Sequence, residues 1–362
     1  MHTQVKKSQK IRFSEAINNT ISQQMLINKK VIVLGLGVTD PKGIFGTTLN
    51  LEKKFGANRV IETPNSENAM TGIAIGAAIK GLRPILTHQR VEFALLAMEQ
   101  IINQAAKINF MSAGKLKVPL IIRLIIGKGW GQGPQHSQSL EVLFSHIPGL
   151  KVVSPSNAYD AKGLLISALK ENNPTIFFEH RWLHDITGRV PKKNYSIPIG
   201  KGKIVQKGKD ITIVSFSEAL IQVMRLKKIL EYNNISAEII DLRSLRPIDS
   251  KIILKSVKKT KRLLVIDNSW KTFGISSEIV ALASENLHKI MLCCPIRLGI
   301  KEIPIPSSRF LAKECYLNSH KILKVILKIL KKEIDKKMNK NYLNIFNSEN
   351  VDIPYKDFRG PF

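Results

Sequence analysis

The sequence predicts an α/β fold of two domains, each with a parallel sheet between layers of helices. Short apolar runs rich in β-branched residues alternate with helical stretches along most of the chain, a rhythm typical of parallel sheets. The alternation stops in a polar, proline-containing segment and then resumes, which indicates two units. The 362 residues, 44% of them hydrophobic, are enough for two or three domains with cores that need no disulfide or metal.

The first unit is predicted from buried strands and the helices between them. Its strands are expected at 31–37, 83–86, 118–127, 150–156 and 174–179, and its helices at 66–81, 92–114 and 158–170. Strands joined by helices pair in parallel, so these elements form one sheet with helices on its faces. We assign 13–195 to this domain and 1–12 to a basic N-terminal extension.

The second unit follows a linker, which we place at 196–210. Its strands are expected at 211–216, 237–242 and 262–267, and its helices at about 217–233, at 250–259 and from Ser319 onward. The last helix carries isoleucines on one face and lysines opposite, which favours a domain-closing helix over one lying on a membrane surface. We assign 211–337 to this domain. The tail, 338–362, contains five aromatic residues that we expect to pack on the body or on a neighbouring subunit.

The net charge of +28 raises the question of nucleic acid or an anionic membrane. Lysines are spread over the whole chain and no nucleic-acid-binding motif accompanies them, so we expect neither partner. The start of the chain has no apolar segment typical of a signal peptide, and no apolar run is long enough to span a membrane. The cysteines Cys293, Cys294 and Cys315 form no CxxC pattern, which favours a cytoplasmic location.

A glycine-rich segment, GKGWGQGPQHSQS at 127–139, directly follows a predicted strand. Its GxGxGxG spacing and the following Pro134 do not fit a dinucleotide-binding turn, and no Lys-Ser/Thr pair closes a phosphate loop. What remains is a glycine-rich turn at the carboxyl edge of a parallel sheet, where α/β proteins bind ligands. The segment presents His136, which by itself fits either a working group or a structural loop residue.

Several segments in fixed order carry a family resemblance. They include FGANRVIETPNSEN, TGIAIGAAIKGLRPI, GPQHSQS, HIPGLKVVSPSNAYDAKGLL, NNPTIFFEH and DLRSLRPID, within a match from about Arg12 to Leu330. Together they resemble the beta subunit of thiamine-diphosphate-dependent 2-oxo acid dehydrogenases of the pyruvate and branched-chain type. The resemblance implies a transketolase-like pyrimidine-binding domain followed by a transketolase C-terminal domain.

The resemblance assigns roles to three residues. Glu67, in TPNSE, matches the glutamate that hydrogen-bonds the aminopyrimidine of thiamine and stabilises its imino tautomer, which a nonpolar residue could not do. Phe93 matches an aromatic residue packed against the pyrimidine ring. His136 matches the active-site histidine that assists substrate handling and transfer to the lipoyl group.

The sequence also departs from the family pattern. Leu36 and Thr87 stand where acids are common, so communication between paired active sites is expected to differ. Asn65, His88 and Arg90 are further differences in the same region. These three either bind an anionic or hydroxylated substrate or replace other residues structurally.

A monovalent cation site is a further implication of the resemblance. The matching positions are Leu120, Ala168, Leu169, Glu171 and Asn173, the first three through their carbonyl oxygens. Hard oxygen ligands suit potassium. Glu171 replaces a common aspartate, and a helix end with a polar turn is the alternative interpretation.

One expected feature is absent from the sequence. The thiamine diphosphate and Mg²⁺ motif of the family begins Gly-Asp-Gly, and no Gly-Asp-Gly occurs in the chain. The resemblance therefore implies an alpha subunit that holds the diphosphate and Mg²⁺, an α2β2 heterotetramer, a small 2-oxo acid substrate and a lipoyl acyltransferase core. The alternatives are a two-chain transketolase-like enzyme acting on a sugar-derived or other polar substrate, and a non-catalytic interaction subunit.

Overall fold

The computed structural model of the chain describes residues 8–333. The tail, 338–362, and the first seven residues of the N-terminal extension lie outside this range. The strands within it are β1 Ser8–Arg12, β2 Val31–Gly35, β3 Val60–Glu62, β4 Arg83–His88, β5 Ile121–Ile126, β6 Lys151–Val153, β7 Thr175–His180, β8 Thr187–Pro191, β9 Lys203–Gln206, β10 Ile211–Ser215, β11 Ala237–Asp241, β12 Ser244–Arg246, β13 Leu263–Trp270 and β14 Ile296–Ile300.

The helices lie between these strands. They are α1 Phe13–Ile27, α2 Leu51–Phe55, α3 Glu67–Ile79, α4 Ile108–Met111, α5 Gly133–His136, α6 Glu141–Ser145, α7 Ala158–Lys170, α8 Ser217–Arg225, α9 Lys227–Tyr232, α10 Ser250–Thr260, α11 Ile275–Leu287, α12 Arg309–Ala312 and α13 Ser319–Leu330. Short 3-10 turns occupy Val91–Ala97, Arg181–Leu183 and His288–Ile290, and a π-helical turn occupies Gln100–Ala105.

The first domain is built on a seven-stranded sheet in the order β12-β6-β7-β5-β4-β2-β3. All neighbouring strands in it are parallel except β12, which runs antiparallel to β6. Every residue of β2, β5 and β7 is buried, as expected for parallel strands covered by helices on both faces. One face packs against α1 and α7, and the other against α3 and the irregular helical stretch that follows β4.

The second domain is built on a five-stranded sheet in the order β14-β13-β10-β11-β9. Its strands are parallel except β9, which runs antiparallel to β11. One face packs against α10 and α11, and the other against α8, α9 and α13. Ile322, Ile326 and Ile329 of α13 are buried in this core, in line with a domain-closing helix. The α/β prediction of two three-layer domains is confirmed, with one antiparallel edge strand added to each sheet.

The two domains share backbone and core. Strand β12 comes from the second half of the chain but pairs at the edge of the first sheet, so that Ser244 lies opposite Val153. Strand β9 lies inside the segment 196–210, and its residues pair with the second sheet. One hydrophobic cluster runs from the first sheet to α10 and α11 without interruption. The glycine-rich segment lies near this junction of the domains.

The predicted helix at 92–114 is the largest local difference. The structure has a 3-10 turn, a π-helical turn and the short α4 there instead of one regular helix. Apolar periodicity identifies helical segments but cannot specify their hydrogen-bond pattern, which packing on the sheet decides. Among residues 8–333, no helix is both long enough and apolar enough to cross a membrane.

Candidate active site at the carboxyl edge of the first sheet

A small cavity lies where β2 and β4 end and α3 begins. It is lined by Leu36, Glu67, Met70, His88 and Phe93, among others. Gly35 ends β2 with a φ of +152°, and a Cβ there would overlap the carbonyl oxygen of Thr87. The close approach of these two strand ends therefore requires glycine.

Glu67 is the first residue of α3 and lines this cavity. The helix N-terminus carries partial positive charge, which stabilises a carboxylate at this position. Within residues 8–333 the Glu67 side chain has no hydrogen-bond or ion-pair partner, and it is half-buried. A partly desolvated carboxylate without an internal partner is suited to bind a polar group of a ligand that enters the cavity.

Phe93 connects this cavity to a larger pocket that contains His136. The Phe93 and His136 rings lie 6.0 Å apart, edge to face. The larger pocket opens to solvent, has a volume of about 840 Å³ and is also lined by Arg90, Trp130 and Arg181. The structure thus brings Glu67, Phe93 and His136, which are distant in sequence, to one edge of the sheet.

His136 is held by a carboxylate that the sequence analysis did not single out. Its Nδ1 atom pairs with Oε1 of Glu92, whose side chain is 10% exposed, while the histidine side chain is 41% exposed. With a proton on Nδ1, the imidazole donates to Glu92 and leaves Nε2 free to act on a ligand. Glu92 directly precedes Phe93, and this adjacency was the one signal in the sequence that could have identified it.

The loop before His136 is attached to the second domain. Gly129, Gly131 and Gly133 all have positive φ, as a tight turn of this kind requires. The amide of Gly129 donates to the Tyr316 hydroxyl at 3.0 Å. Lys128 forms a 2.8 Å ion pair with Glu218 of α8, and both side chains are almost buried. The second domain therefore fixes the position of the segment that presents His136.

The three residues singled out as departures occupy different environments. Asn65 is exposed and lines neither of these two cavities. His88 lines the small cavity, and burial lowers its pKa to about 4, so it is neutral at pH 7. Its Nε2 atom has no hydrogen-bond partner among the described residues. Arg90 lines the larger pocket together with Arg181, which the sequence analysis did not identify.

Leu36 and Thr87, which stand where acids are common, both accept hydrogen bonds from neighbouring side chains. The Gln89 side-chain amide donates to the Leu36 carbonyl oxygen at 2.8 Å. Thr87 accepts a 3.3 Å hydrogen bond from Arg123, whose guanidinium also binds Glu179 in a fully buried ion pair. The Arg123 charge lowers the pKa of Glu179 against the effect of burial, so this pair is ionised.

The predicted cation positions gather at the end of α7. The Leu169 carbonyl accepts a 2.7 Å hydrogen bond from Arg83, the Ala168 carbonyl accepts one from the Glu171 amide, and the Leu120 carbonyl accepts one from the Thr175 amide. The Glu171 carboxylate pairs with Lys151. Asn173 keeps a buried side-chain oxygen with no partner in the described part of the chain. The oxygens are of the type that potassium binds, although Arg83 already supplies positive charge beside them.

Comparisons with known proteins identify both domains. The family described as "Transketolase, pyrimidine binding domain" matches residues 9–185, and "Transketolase, C-terminal domain" matches residues 200–322. A solved structure described as "Split gene transketolase, inactive beta4 tetramer" superposes with a TM-score of 0.73 over 89% of this chain and 98% of its own. Its sequence identity is 21%, so it supports the fold alone.

Relatives of known name are more similar in sequence. The pyruvate dehydrogenase E1 component subunit beta of Porphyra purpurea is 39% identical over 89% of this chain and 97% of its own length. The protein of the same name from Rickettsia felis is 35% identical over 88% and 98%. The acetoin:2,6-dichlorophenolindophenol oxidoreductase subunit beta of Cupriavidus necator is 40% identical over 83% and 92%. With its two transketolase-type domains, the chain belongs to the family of beta subunits of thiamine-diphosphate-dependent 2-oxo acid dehydrogenases.

Proposed function

We propose that this chain is the beta subunit of an E1-type enzyme that decarboxylates pyruvate or a related 2-oxo acid and passes the acyl group to lipoamide. The observation that carries the proposal is the convergence of Glu67, Phe93 and His136 at one sheet edge. When bound, thiamine diphosphate supplies the nucleophilic carbon and the electron sink for decarboxylation.

The residues of the small cavity fit the aminopyrimidine part of that cofactor. Phe93 and Met70 offer apolar surface to an aromatic ring, and Glu67 offers a carboxylate that can share a proton with a ring nitrogen. His136, positioned by Glu92, holds or donates a proton on the substrate side of Phe93. His88 remains neutral there and can donate or accept a hydrogen bond without adding charge.

The diphosphate and Mg²⁺ belong, in this proposal, to an alpha subunit. No Gly-Asp-Gly motif occurs in this chain, so the partner has to contribute that half of the site. We propose an α2β2 heterotetramer that docks on a lipoyl acyltransferase core in the cytoplasm. The free cysteines Cys293, Cys294 and Cys315 support a reducing compartment. Potassium at Leu120, Ala168, Leu169, Glu171 and Asn173 is part of the same proposal.

Reconstitution with the alpha subunit tests the function. We expect the isolated chain to bind thiamine diphosphate and Mg²⁺ no more tightly than about millimolar in titration calorimetry, since only the pyrimidine side is present. In the complex, Glu67→Gln should reduce decarboxylation and lipoyl-domain acylation by at least about 10²-fold, the usual contribution of a proton-transfer group.

Glu278→Gln provides the matched control. Glu278 also lies in the first turn of a 13-residue helix but is exposed and distant from the small cavity. Its substitution should change turnover less than about 2-fold, because only a helix-dipole interaction is lost. Near-normal activity of Glu67→Gln in an intact complex would contradict the assignment of Glu67, and tight cofactor binding by the isolated chain would contradict the shared site.

A further inference from the structure

Two arginines lie in the wall of the pocket that contains His136. Arg90 is 8% exposed and Arg181 is 3% exposed. Both guanidiniums stack on the Phe45 ring, at 5.4 and 4.7 Å from its centroid, and Arg181 also stacks on Trp130 at 4.2 Å. Two buried cations therefore converge on one aromatic side chain at the pocket surface.

The positive charges of Arg90 and Arg181 are only partly offset by acidic groups in the pocket wall. Burial and the neighbouring Arg90 charge lower the pKa of Arg181 to about 8, which reflects the cost of two close cations. Glu92 is the acid that offsets them. Its Oε1 atom pairs with His136 and its Oε2 atom is buried without a partner in the described part of the chain, so one carboxylate faces two guanidiniums. The Nη1 atom of Arg90 is buried and has no hydrogen-bond partner in the described part of the chain. Buried N–H groups are normally satisfied, so Arg90 is suited to receive an acceptor from outside.

The acids at the pocket rim do not change this balance. Asp185 pairs with Arg12, Glu15 accepts from the Arg12 backbone amide, and Asp40 is exposed. These rim groups are partly or largely exposed, so water and salt screen their charges. The arginine side chains, in contrast, lie in a low-dielectric wall where an anion would be bound strongly.

Stacking on aromatic rings leaves the binding edges of a guanidinium available. The cation–π contacts use the faces of the planar groups, whereas carboxylates and phosphates bind to N–H groups in the plane. Phe45 and Trp130 thus orient both arginines by contacts with their faces. In the plane of the groups, Nη1 of Arg181 donates to Oε1 of Gln132 at 2.9 Å, whereas Nη1 of Arg90 has no acceptor among the described residues. The pocket volume of about 840 Å³ also leaves room for more than the methyl group of pyruvate.

We propose that Arg90 and Arg181 form an anion subsite that selects 2-oxo acids carrying a second anionic group, either a carboxylate or a phosphate-type group. This inference rests on the proposed decarboxylation and narrows its substrate class. The reacting 2-oxo acid group lies toward His136, and the second anion accepts charge-assisted hydrogen bonds from Arg90, while the positive charge of Arg181 beside it adds to the attraction.

The test compares substrates of equal chain length in the reconstituted complex. 2-Oxopentanedioate and 2-oxopentanoate differ only in a terminal carboxylate, and 2-oxo-4-phosphonobutanoate presents a phosphate-type anion instead. With an artificial electron acceptor, kcat/KM for at least one dianionic substrate should exceed that for 2-oxopentanoate by 10-fold or more, the scale of one hydrogen bond to a charged group. The more active dianion identifies the type of anion.

Variants connect the preference to the arginines. Arg90→Gln should reduce the dianion-to-monoanion ratio of kcat/KM by about 10–100-fold, and Arg90→Lys should restore part of it. Arg12→Gln is the control, because it removes an exposed positive charge from the rim of the same pocket. It should alter the ratio less than about 3-fold. If Arg90→Gln does not fold, Arg90→Lys serves as the test, and it should lower the dianion-to-monoanion ratio of kcat/KM below that of the wild type.

Several results would overturn the inference. If Arg90→Gln lowers kcat/KM equally for the dianionic substrate and for 2-oxopentanoate, the arginines bind the reacting carboxylate and not a second anion. If the variant no longer assembles with the alpha subunit, the arginines belong to the subunit interface. Good turnover of pyruvate and 2-oxopentanoate without any preference for a dianion would remove this subsite but leave the proposed function intact. If the reconstituted complex decarboxylates none of the 2-oxo acids, both the anion subsite and the proposed function are refuted.

Discussion

Glu141 is expected to be protonated at neutral pH, and its ionisation should make the stability of the chain depend on pH. The residue begins α6, a few positions after His136, and is 1% exposed. Neither carboxyl oxygen has a hydrogen-bond partner in the described part of the chain. Burial and the nearby charge of Asp267 raise the pKa of Glu141 from 4.5 to about 8.

The sign and size of the effect follow from this pKa. Between pH 4.5 and 8 the folded chain keeps a proton that the unfolded chain releases, so the free energy of unfolding falls as pH rises through this window. The stabilisation is fully present below pH 4.5 and is lost above pH 8. Its full extent is about 5 kcal/mol, because each pKa unit corresponds to about 1.4 kcal/mol.

Glu141→Gln removes the titration and keeps the shape of the protonated acid. We expect its Tm to match that of the wild type within about 2 °C at pH 5 and to exceed it by about 5–10 °C at pH 8.5. Thermal unfolding between these pH values measures the difference. Glu285→Gln, at an exposed position of α11, should follow the wild type throughout. Parallel curves for Glu141→Gln and wild type would refute the buried, protonated state.

Three further changes test other parts of the site. Glu92→Gln should lower kcat/KM of the complex about 10-fold and alter the shape of its pH profile, because the partner that orients His136 loses its charge; an unchanged pH profile would argue against that role. Lys128→Met leaves the buried Glu218 without its ion-pair partner and should destabilise the chain by about 3–5 kcal/mol, whereas adding Glu218→Gln should recover part of the loss in unfolding experiments. If the end of α7 binds potassium, 100-fold excess of K⁺ over its Kd should stabilise the chain by about 2.7 kcal/mol relative to tetramethylammonium, and Asn173→Ala should abolish the difference.

The fold was largely predictable because its strands are buried on both faces. The run 31–37 is apolar throughout and the run 118–127 is apolar except for Arg123, and this pattern identifies a central parallel strand without knowledge of its neighbours. Strand β9 was assigned to a linker, because its sequence, KIVQ, is short and lies between glycines and lysines. Its pairing with β11 is a long-range contact that local patterns do not contain.

The site was predictable only in part, for a related reason. Glu67 and His136 lie in segments whose resemblance to a known family is specific, so they could be named as candidate site residues before their positions in space were known. The roles of Glu92 and Arg181 depend on partners that are distant in the chain, namely His136, Phe45 and Trp130. A charged residue next to a strand gives no sign of such partners until the fold brings them together.

Strand β12 limits how this protein can be divided. Expressing residues 13–195 alone would remove Ser244–Arg246 and leave the hydrogen-bonding edge of β6 open at Lys151–Val153. Exposed strand edges promote association between chains, so such a fragment would tend to aggregate. It would also lose the anchors of the glycine-rich loop on Glu218 and Tyr316. Gene fusion, domain exchange or circular permutation therefore has to keep both halves in one folding unit, with new termini placed away from the strand that joins them.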